Sequence, residues 1–88
     1  MKRTYIVIYD ISDDGDYDGI YEKLKSYSGW AKITESTWAI VTLKKAKEVR
    51  DELKPFIGST GRLFVVKSGV EAAWSNVRAS NEWFKKNL

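Results

Sequence analysis

The spacing of apolar residues changes repeatedly along this chain, and each change predicts a new element. Between Thr4 and Tyr9, the set Tyr5/Val7/Tyr9 alternates with Ile6/Ile8, and both sets are apolar. That pattern predicts a central strand covered on both faces. From Tyr17 to Tyr27, apolar residues at 17, 20, 21, 24 and 27 follow helical spacing, and Gly29 closes the segment. Asp16 or Asp18 falls in the first turn of that helix, where a carboxylate favours the positive end of the helix dipole. Residues 30–33 and 37–41 are two short β-favouring stretches around Thr34-Glu35-Ser36, which reads as a hairpin with a tight or bulged connection. A second helix over about 44–53 gathers Ala46, Val49 and Leu53 on one stripe, extended by Phe56 and Ile57, and Pro55 helps to end it. Gly58 and Gly61 bracket a loop, and Leu63-Phe64-Val65-Val66 is an apolar strand also expected to be covered on both faces.

The resulting order is β-α-β-β-α-β, which predicts an α+β, ferredoxin-like sandwich with an antiparallel sheet. Right-handed crossovers would set strands one and four side by side in the middle, with both helices on one face. Residues 1–67 form this domain, and residues 68–88 form a C-terminal strand/helix extension. Within the extension, 69–77 surround Trp74, and 80–88 read as a short helix with Ser80 as its N-cap and Trp83, Phe84 and Leu88 as apolar contacts.

Composition narrows the chemistry. A single domain of 88 residues buries only roughly 60–65% of its unfolded surface, so association is a natural remedy for marginal stability. Four Trp, five Tyr and three Phe supply large buried areas from few positions. The chain has neither Cys nor His. Disulfides, thiolate metal sites and the usual general base are therefore excluded, and a bound metal would be a hard cation on oxygen. No apolar run approaches a membrane span and the start lacks a signal-peptide pattern, so a cytoplasmic protein is expected. Charge is uneven: residues 1–29 carry a net −2 and residues 30–88 a net +5. An anionic partner suits the second region and a cation the first.

Several local motifs invite a chemical reading. Asp14-Gly15-Asp16-Tyr17-Asp18-Gly19 matches the first half of an EF-hand loop, but Lys25 stands where the bidentate Glu is required, and a strand precedes it. These acids are better explained as a solvated turn and a helix start. Gly58-Ser59-Thr60-Gly61 lacks the Lys-Ser/Thr of a P-loop and reads as a turn. An RNA-recognition module shares the element order and would use Tyr5, Tyr9 and Trp38 as stacking platforms, although its Gly/Phe-rich third-strand signature is missing. Ser and Thr are plentiful, but no His activates them. What remains is Asp10, a carboxylate at the tip of an apolar strand, where strand propensity does not ask for one. It is the candidate ligand of a divalent cation that would activate water and screen phosphate.

Tyr9-Asp10-Ile11 at the end of strand one, a helix ending near Tyr27, and Glu35-Ser36-Thr37-Trp38 leading into strand three together resemble the CRISPR-associated Cas-two family. The likeness spans roughly residues 3–67 and is closer to the SinR-like branch, small proteins of the same fold often found without CRISPR machinery. Ala73-Trp74 followed by Asn81-Glu82-Trp83-Phe84-Lys85-Lys86-Asn87-Leu88 is similar to that branch as well. The resemblance implies a homodimer whose sheets face each other, with residues 68–88 packing on the partner. It also implies an Asp from each subunit near the two-fold axis, a position matched by Asp10, which would be both catalytic residue and Mg²⁺ ligand in a metal-dependent endonuclease. The alternative within the same branch is a non-catalytic dimeric interaction module without a CRISPR role. CRISPR members usually follow the Asp with a basic run, whereas this chain has Gly15-Asp16-Tyr17-Asp18-Gly19. Acids beside Asp10 oppose phosphate, so DNA or RNA is expected instead on Lys44, Lys45, Lys47, Arg50 and Lys54 of the second helix.

Overall fold

The computed structural model describes residues 1–69 and 71–88. Strand β1 (Arg3–Asp10) leads to helix α1 (Tyr17–Lys25), the hairpin β2 (Gly29–Thr34) and β3 (Thr37–Thr42), helix α2 (Ala46–Leu53), a 3₁₀ turn (Lys54–Phe56), strand β4 (Arg62–Lys67) and helix α3 (Asn81–Asn87). The strands form one four-stranded antiparallel sheet in the order β2-β3-β1-β4. Strands β1 and β4 are adjacent, as expected. They do not share the middle, however: β3 and β1 are central, and β4 is an edge. The β2–β3 hairpin docks through β3 on one side of β1, so the strand that follows α2 takes the other side.

Alternation along β1 sorts its side chains. Tyr5, Val7 and Tyr9 are buried at 3%, 0% and 1% exposure and share a core with Ile20, Leu24, Trp38, Ile40, Val49 and Leu53. Both α1 and α2 therefore cover the same face. Asp16 caps α1 by accepting from the Gly19 amide at 2.9 Å, and Lys23 and Lys25 close its last turn. Val49 and Leu53, four apart on α2, bring one face of that helix to the core. Pro55 sits at the start of the 3₁₀ turn, where its missing amide hydrogen costs nothing. The hairpin connection at Glu35-Ser36 follows a register irregularity between Lys32 and Thr34, so the bulged version of the turn is the one formed.

The opposite face of the sheet corrects the expectation that β1 and β4 are covered on both sides. Ile8, Phe64 and Val66 point away from the helices and are 42%, 59% and 41% exposed. That face is covered only in part, by α3. Phe84 is buried, its ring lies 4.7 Å from Trp74, and Thr4 Oγ1 donates to the Asn87 carbonyl at 2.7 Å. Beneath lie the small, buried Ala31 and Ala39 of β2 and β3. Ser80 caps α3 by accepting from the Trp83 amide, as its position predicts. The strand expected in the extension is not formed by residues 71–80, and Val70, also within 69–77, lies outside the described residues. The stacking platforms expected of an RNA-recognition module are also displaced. Tyr5, Tyr9 and Trp38 lie beneath the helices, because their alternation points them at α1 and α2.

Candidate functional site at the end of strand β1

Asp10 ends β1 directly opposite Arg62, the first residue of β4. Its Oδ2 lies 3.6 Å from Arg62 Nη1, and both side chains are largely exposed. A pair so wet is worth at most about 1 kcal/mol, so it sets a local charge balance more than it holds the fold. Asp10 shares a cleft of about 280 Å³ with Tyr9, Ile11, Tyr17, Glu35 and Ser36.

The wall carrying Glu35 and Ser36 is fixed from below. The Tyr9 amide donates to the Ser36 carbonyl at 3.1 Å, and the Tyr9 hydroxyl donates to the Glu35 carbonyl at 3.4 Å while accepting from Trp38 Nε1 at 2.9 Å. Burial pushes the Tyr9 hydroxyl well above the usual phenol range, with the Trp38 bond opposing in part. Tyr9 is thus a neutral strut. Glu35 itself turns to cations, Arg78 at 2.6 Å and Lys32 at 3.7 Å.

The acidic loop separates into residues with structural work and residues without it. Asp14 accepts from Ser12 Oγ at 2.5 Å and from the Ser59 amide at 3.0 Å, which pins the 12–16 loop to the turn after α2. Those donors favour its charged form and lower its pKa from 3.8 to about 2. Gly58 takes the left-handed φ of 86° that this turn requires. A Cβ at Gly61 would run into the Ile57 and Asp10 carbonyls, so the turn passes directly against the end of β1. Asp16 is the helix cap, while Asp13 and Asp18 are exposed. This matches the expected solvated turn and helix start.

A single chain offers Mg²⁺ only part of a site here. Mg²⁺ is held by one or two carboxylates with waters and substrate phosphates. Asp10 supplies one carboxylate, and the Arg62 guanidinium competes for it. Among the described residues no group of three or more acids could hold a metal ion.

The five basic residues expected to meet nucleic acid do not act together. Lys44 is ion-paired with Glu52, which also accepts from the Tyr27 hydroxyl at 2.6 Å and faces Lys23 at 3.6 Å. Burial alone would raise the pKa of Glu52; the bonds from Lys44 and Tyr27, with the Lys23 charge, outweigh it and hold the group below 4.5. Lys45 is the N-cap position of α2, and its amide donates to Glu48 at 3.0 Å. Lys47, Arg50 and Lys54 fall at helical spacing along β4: Lys47 and Arg50 line a groove of about 340 Å³ with Leu63 and Val65, and Arg50 and Lys54 line its continuation. Sequence reasoning missed Arg62. The alternation of β1 against β4 would have found it, since an exposed Arg opposite an exposed Asp is a register pairing.

A scan against protein-family models finds no match, a search of curated proteins finds none, and no solved structure matches the chain.

Proposed function

We propose that this chain is a ferredoxin-like homodimer of the Cas-two-like type, nearest the SinR-like branch, which associates with nucleic acid in the cytoplasm. The strand order β2-β3-β1-β4, with α1 and α2 on one face, supports the ferredoxin-like reading. The observation that carries the dimer is the bare apolar stripe Ile8, Phe64 and Val66, which runs along β1 and β4 to Asp10 and Arg62. Such a stripe on a marginal domain is an association surface.

A second copy on that stripe would bring the two Asp10 residues toward the two-fold axis. Carboxylates about 4 Å apart repel by ~4 kcal/mol at an effective dielectric near 20. A shared Mg²⁺ would relieve that repulsion and furnish the cation of a metal-dependent phosphodiesterase. DNA or RNA would lie on the Lys47, Arg50 and Lys54 side, away from the acidic loop. One observation favours a second reading, a non-catalytic dimeric module: Arg62 already supplies Asp10 with a counter-charge.

Nuclease assay of wild type and Asp10→Ala, with and without Mg²⁺, separates the two. Metal-dependent cleavage lost in the variant supports the enzyme; its absence from the wild type leaves the module. Light scattering tests the dimer that both readings require, and a monomer at micromolar concentration refutes both.

A further inference from the structure

The two edges of the sheet are finished differently. Strand β2 closes one side with a register irregularity between Lys32 and Thr34, and the Arg78 amide donates to its Ile33 carbonyl at 3.2 Å. Bulges and covering segments of this kind keep an edge from pairing with another chain. Strand β4 closes the other side without them. It pairs with β1 in unbroken register, and Leu63-Phe64-Val65-Val66 is continuously apolar, with neither Pro nor Gly. Among the described residues no other strand pairs along its outer edge.

Register fixes which peptide groups are left over. The Ser68 amide donates to the Thr4 carbonyl at 2.8 Å. Bonded pairs alternate along an antiparallel ladder, so Val66, Phe64 and Arg62 also bond β1, opposite Ile6, Ile8 and Asp10. The N–H and C=O of Leu63, Val65 and Lys67 therefore point away from the sheet, in line to receive a further strand. On the α2 side of this edge, Leu63 and Val65 line the groove of about 340 Å³ with Lys47 and Arg50. Phe64 and Val66, which alternate with them, face the other way and are exposed.

Charge selects the occupant. Lys47, Arg50 and Lys54 flank the edge from α2, and Arg62 and Lys67 stand at the two ends of β4. Nearby acids answer only part of this. Asp51 pairs with Arg50 at 2.9 Å, Asp10 with Arg62 at 3.6 Å, and Glu48 is turned back to the Lys45 amide. Lys47, Lys54 and Lys67 form no ion pair among the described residues. A second copy docked edge to edge would set these cations against their own symmetry mates, so the complement is acidic rather than another β4. The chain's own tail is engaged on the opposite edge, through Arg78.

We propose that the β4 edge docks an extended, acidic peptide segment of a partner protein, which joins the four-stranded sheet as an added strand. Main-chain bonds to Leu63, Val65 and Lys67 supply affinity, and the alternation of side chains supplies specificity. Ligand residues opposite Leu63, Val65 and Lys67 share the α2 face, so Asp or Glu there meets Lys47, Arg50 and Lys54. Ligand residues opposite Phe64 and Val66 share the outer face, where apolar side chains extend that stripe. The recognised pattern alternates acidic and apolar residues over about six positions, the length of β4. The site needs neither Asp10 nor the proposed dimer. It does claim three cations assigned above to nucleic acid, and the test separates the two uses.

The test follows the fluorescence anisotropy of a labelled, end-blocked hexapeptide of alternating Glu and Val as the full chain is added. Its controls are a block isomer of the same composition and a labelled oligothymidylate. The alternating peptide is expected to bind saturably, at least about five-fold more tightly than the block isomer. Only every second amide of an added strand faces β4. N-methylation of one alternate set of peptide amides should therefore abolish binding, whereas N-methylation of the other set should preserve it; this arm needs no protein variant. Val65→Pro removes an outward donor and spares the bonds to β1, as Pro does on an edge whose N–H faces solvent. It should weaken peptide binding at least about five-fold and leave oligothymidylate binding unchanged. Lys47→Gln with Arg50→Gln should weaken peptide binding about five-fold at low salt and flatten its salt dependence. No saturable binding of the alternating peptide by wild type overturns the proposal, and binding of oligothymidylate alone then leaves the cations to nucleic acid. Equal binding of the block isomer, or equal behaviour of the two N-methylated sets, overturns it as well. So does a mass in light scattering that falls on Val65→Pro, because a second copy would then occupy the edge.

Discussion

The two faces of the sheet carry similar apolar side chains and meet different fates. On the inner face, Tyr5, Val7, Tyr9, Trp38 and Ile40 are sealed under α1 and α2. On the outer face, α3 reaches only part of the sheet, and Ile8, Phe64 and Val66 remain in water. The number of helices explains much of the difference, two on the inner face against one on the outer. Helix α3 has seven residues and contributes one fully buried side chain, Phe84, whereas α1 and α2 together contribute Ile20, Leu24, Val49 and Leu53. A chain of 88 residues completes one hydrophobic layer and part of a second. The incomplete layer is where the bare apolar stripe near Asp10 lies.

Truncating the sealed face should do the greatest damage. Trp38→Ala removes a 1%-exposed ring that touches Tyr21 and Trp30 and donates to the Tyr9 hydroxyl. The expected loss is about 3–5 kcal/mol of unfolding free energy, read from denaturant titration. A loss below ~1 kcal/mol would mean that the inner layer is not the stabilising one. Phe84→Ala tests the partial layer. It should cost at most ~3 kcal/mol, the low end for a buried Phe, and the cost should appear as local opening. Amide exchange should accelerate across 80–88 while β1 amides stay protected. Global loss of protection on Phe84→Ala would erase the distinction between the faces.

Much of the inner layer could be read from the sequence, since helical spacing at 20, 24 and 27, and at 49 and 53, names the residues that are buried. The outer layer could not. Ile6 and Ile8 declare an apolar second face on β1, but periodicity does not say whether a helix, a tail or another molecule covers it. The pairing of Asp14 with Ser59 was hidden for a different reason: the partners are 45 positions apart, and the contact exists only because β4 returns beside β1. Asp10 was legible as a strand end and Arg62 as a basic residue, yet their opposition depends on register. The split of the basic residues turned on Glu52, whose capture of Lys44 needs α2 and the β3 end in contact.

The exposed stripe should give a nearly opposite result to the core. Phe64→Lys replaces a 59%-exposed ring, and surface substitutions of this kind usually change stability by less than about 0.5 kcal/mol. Self-association should nevertheless fall sharply, because two added cations would meet across a symmetric contact. Light scattering of wild type and variant over a dilution series measures this. An unchanged mass with an unchanged unfolding midpoint would mean that the stripe is merely tolerated exposure.

The smallest effect concerns the acidic loop, and acid is the probe that isolates it. Asp14 has a folded pKa of about 2 against an ordinary 3.8, because Ser12 and the Ser59 amide bind its charged form. A depressed carboxylate stabilises the fold above its unfolded pKa, and that contribution disappears as pH falls through the folded value. The window is therefore about pH 4 down to 2. Glu52, whose pKa is also lowered, acts with the same sign, so wild type alone would not separate them. Asp14→Asn should leave Glu52 intact, lower stability modestly at neutral pH and shrink the further loss between pH 4 and 2. Because Asp14 is fully exposed, solvent screens the effect, and a shift in thermal midpoint across that window is the appropriate readout. If Asp14→Asn and wild type lose stability in parallel over the window, the Asp14 clasp contributes nothing, and the backbone bonds from the Ser12 amide to the Ile57 carbonyl and from the Asp16 amide to the Phe56 carbonyl hold the 12–16 loop to the turn after α2.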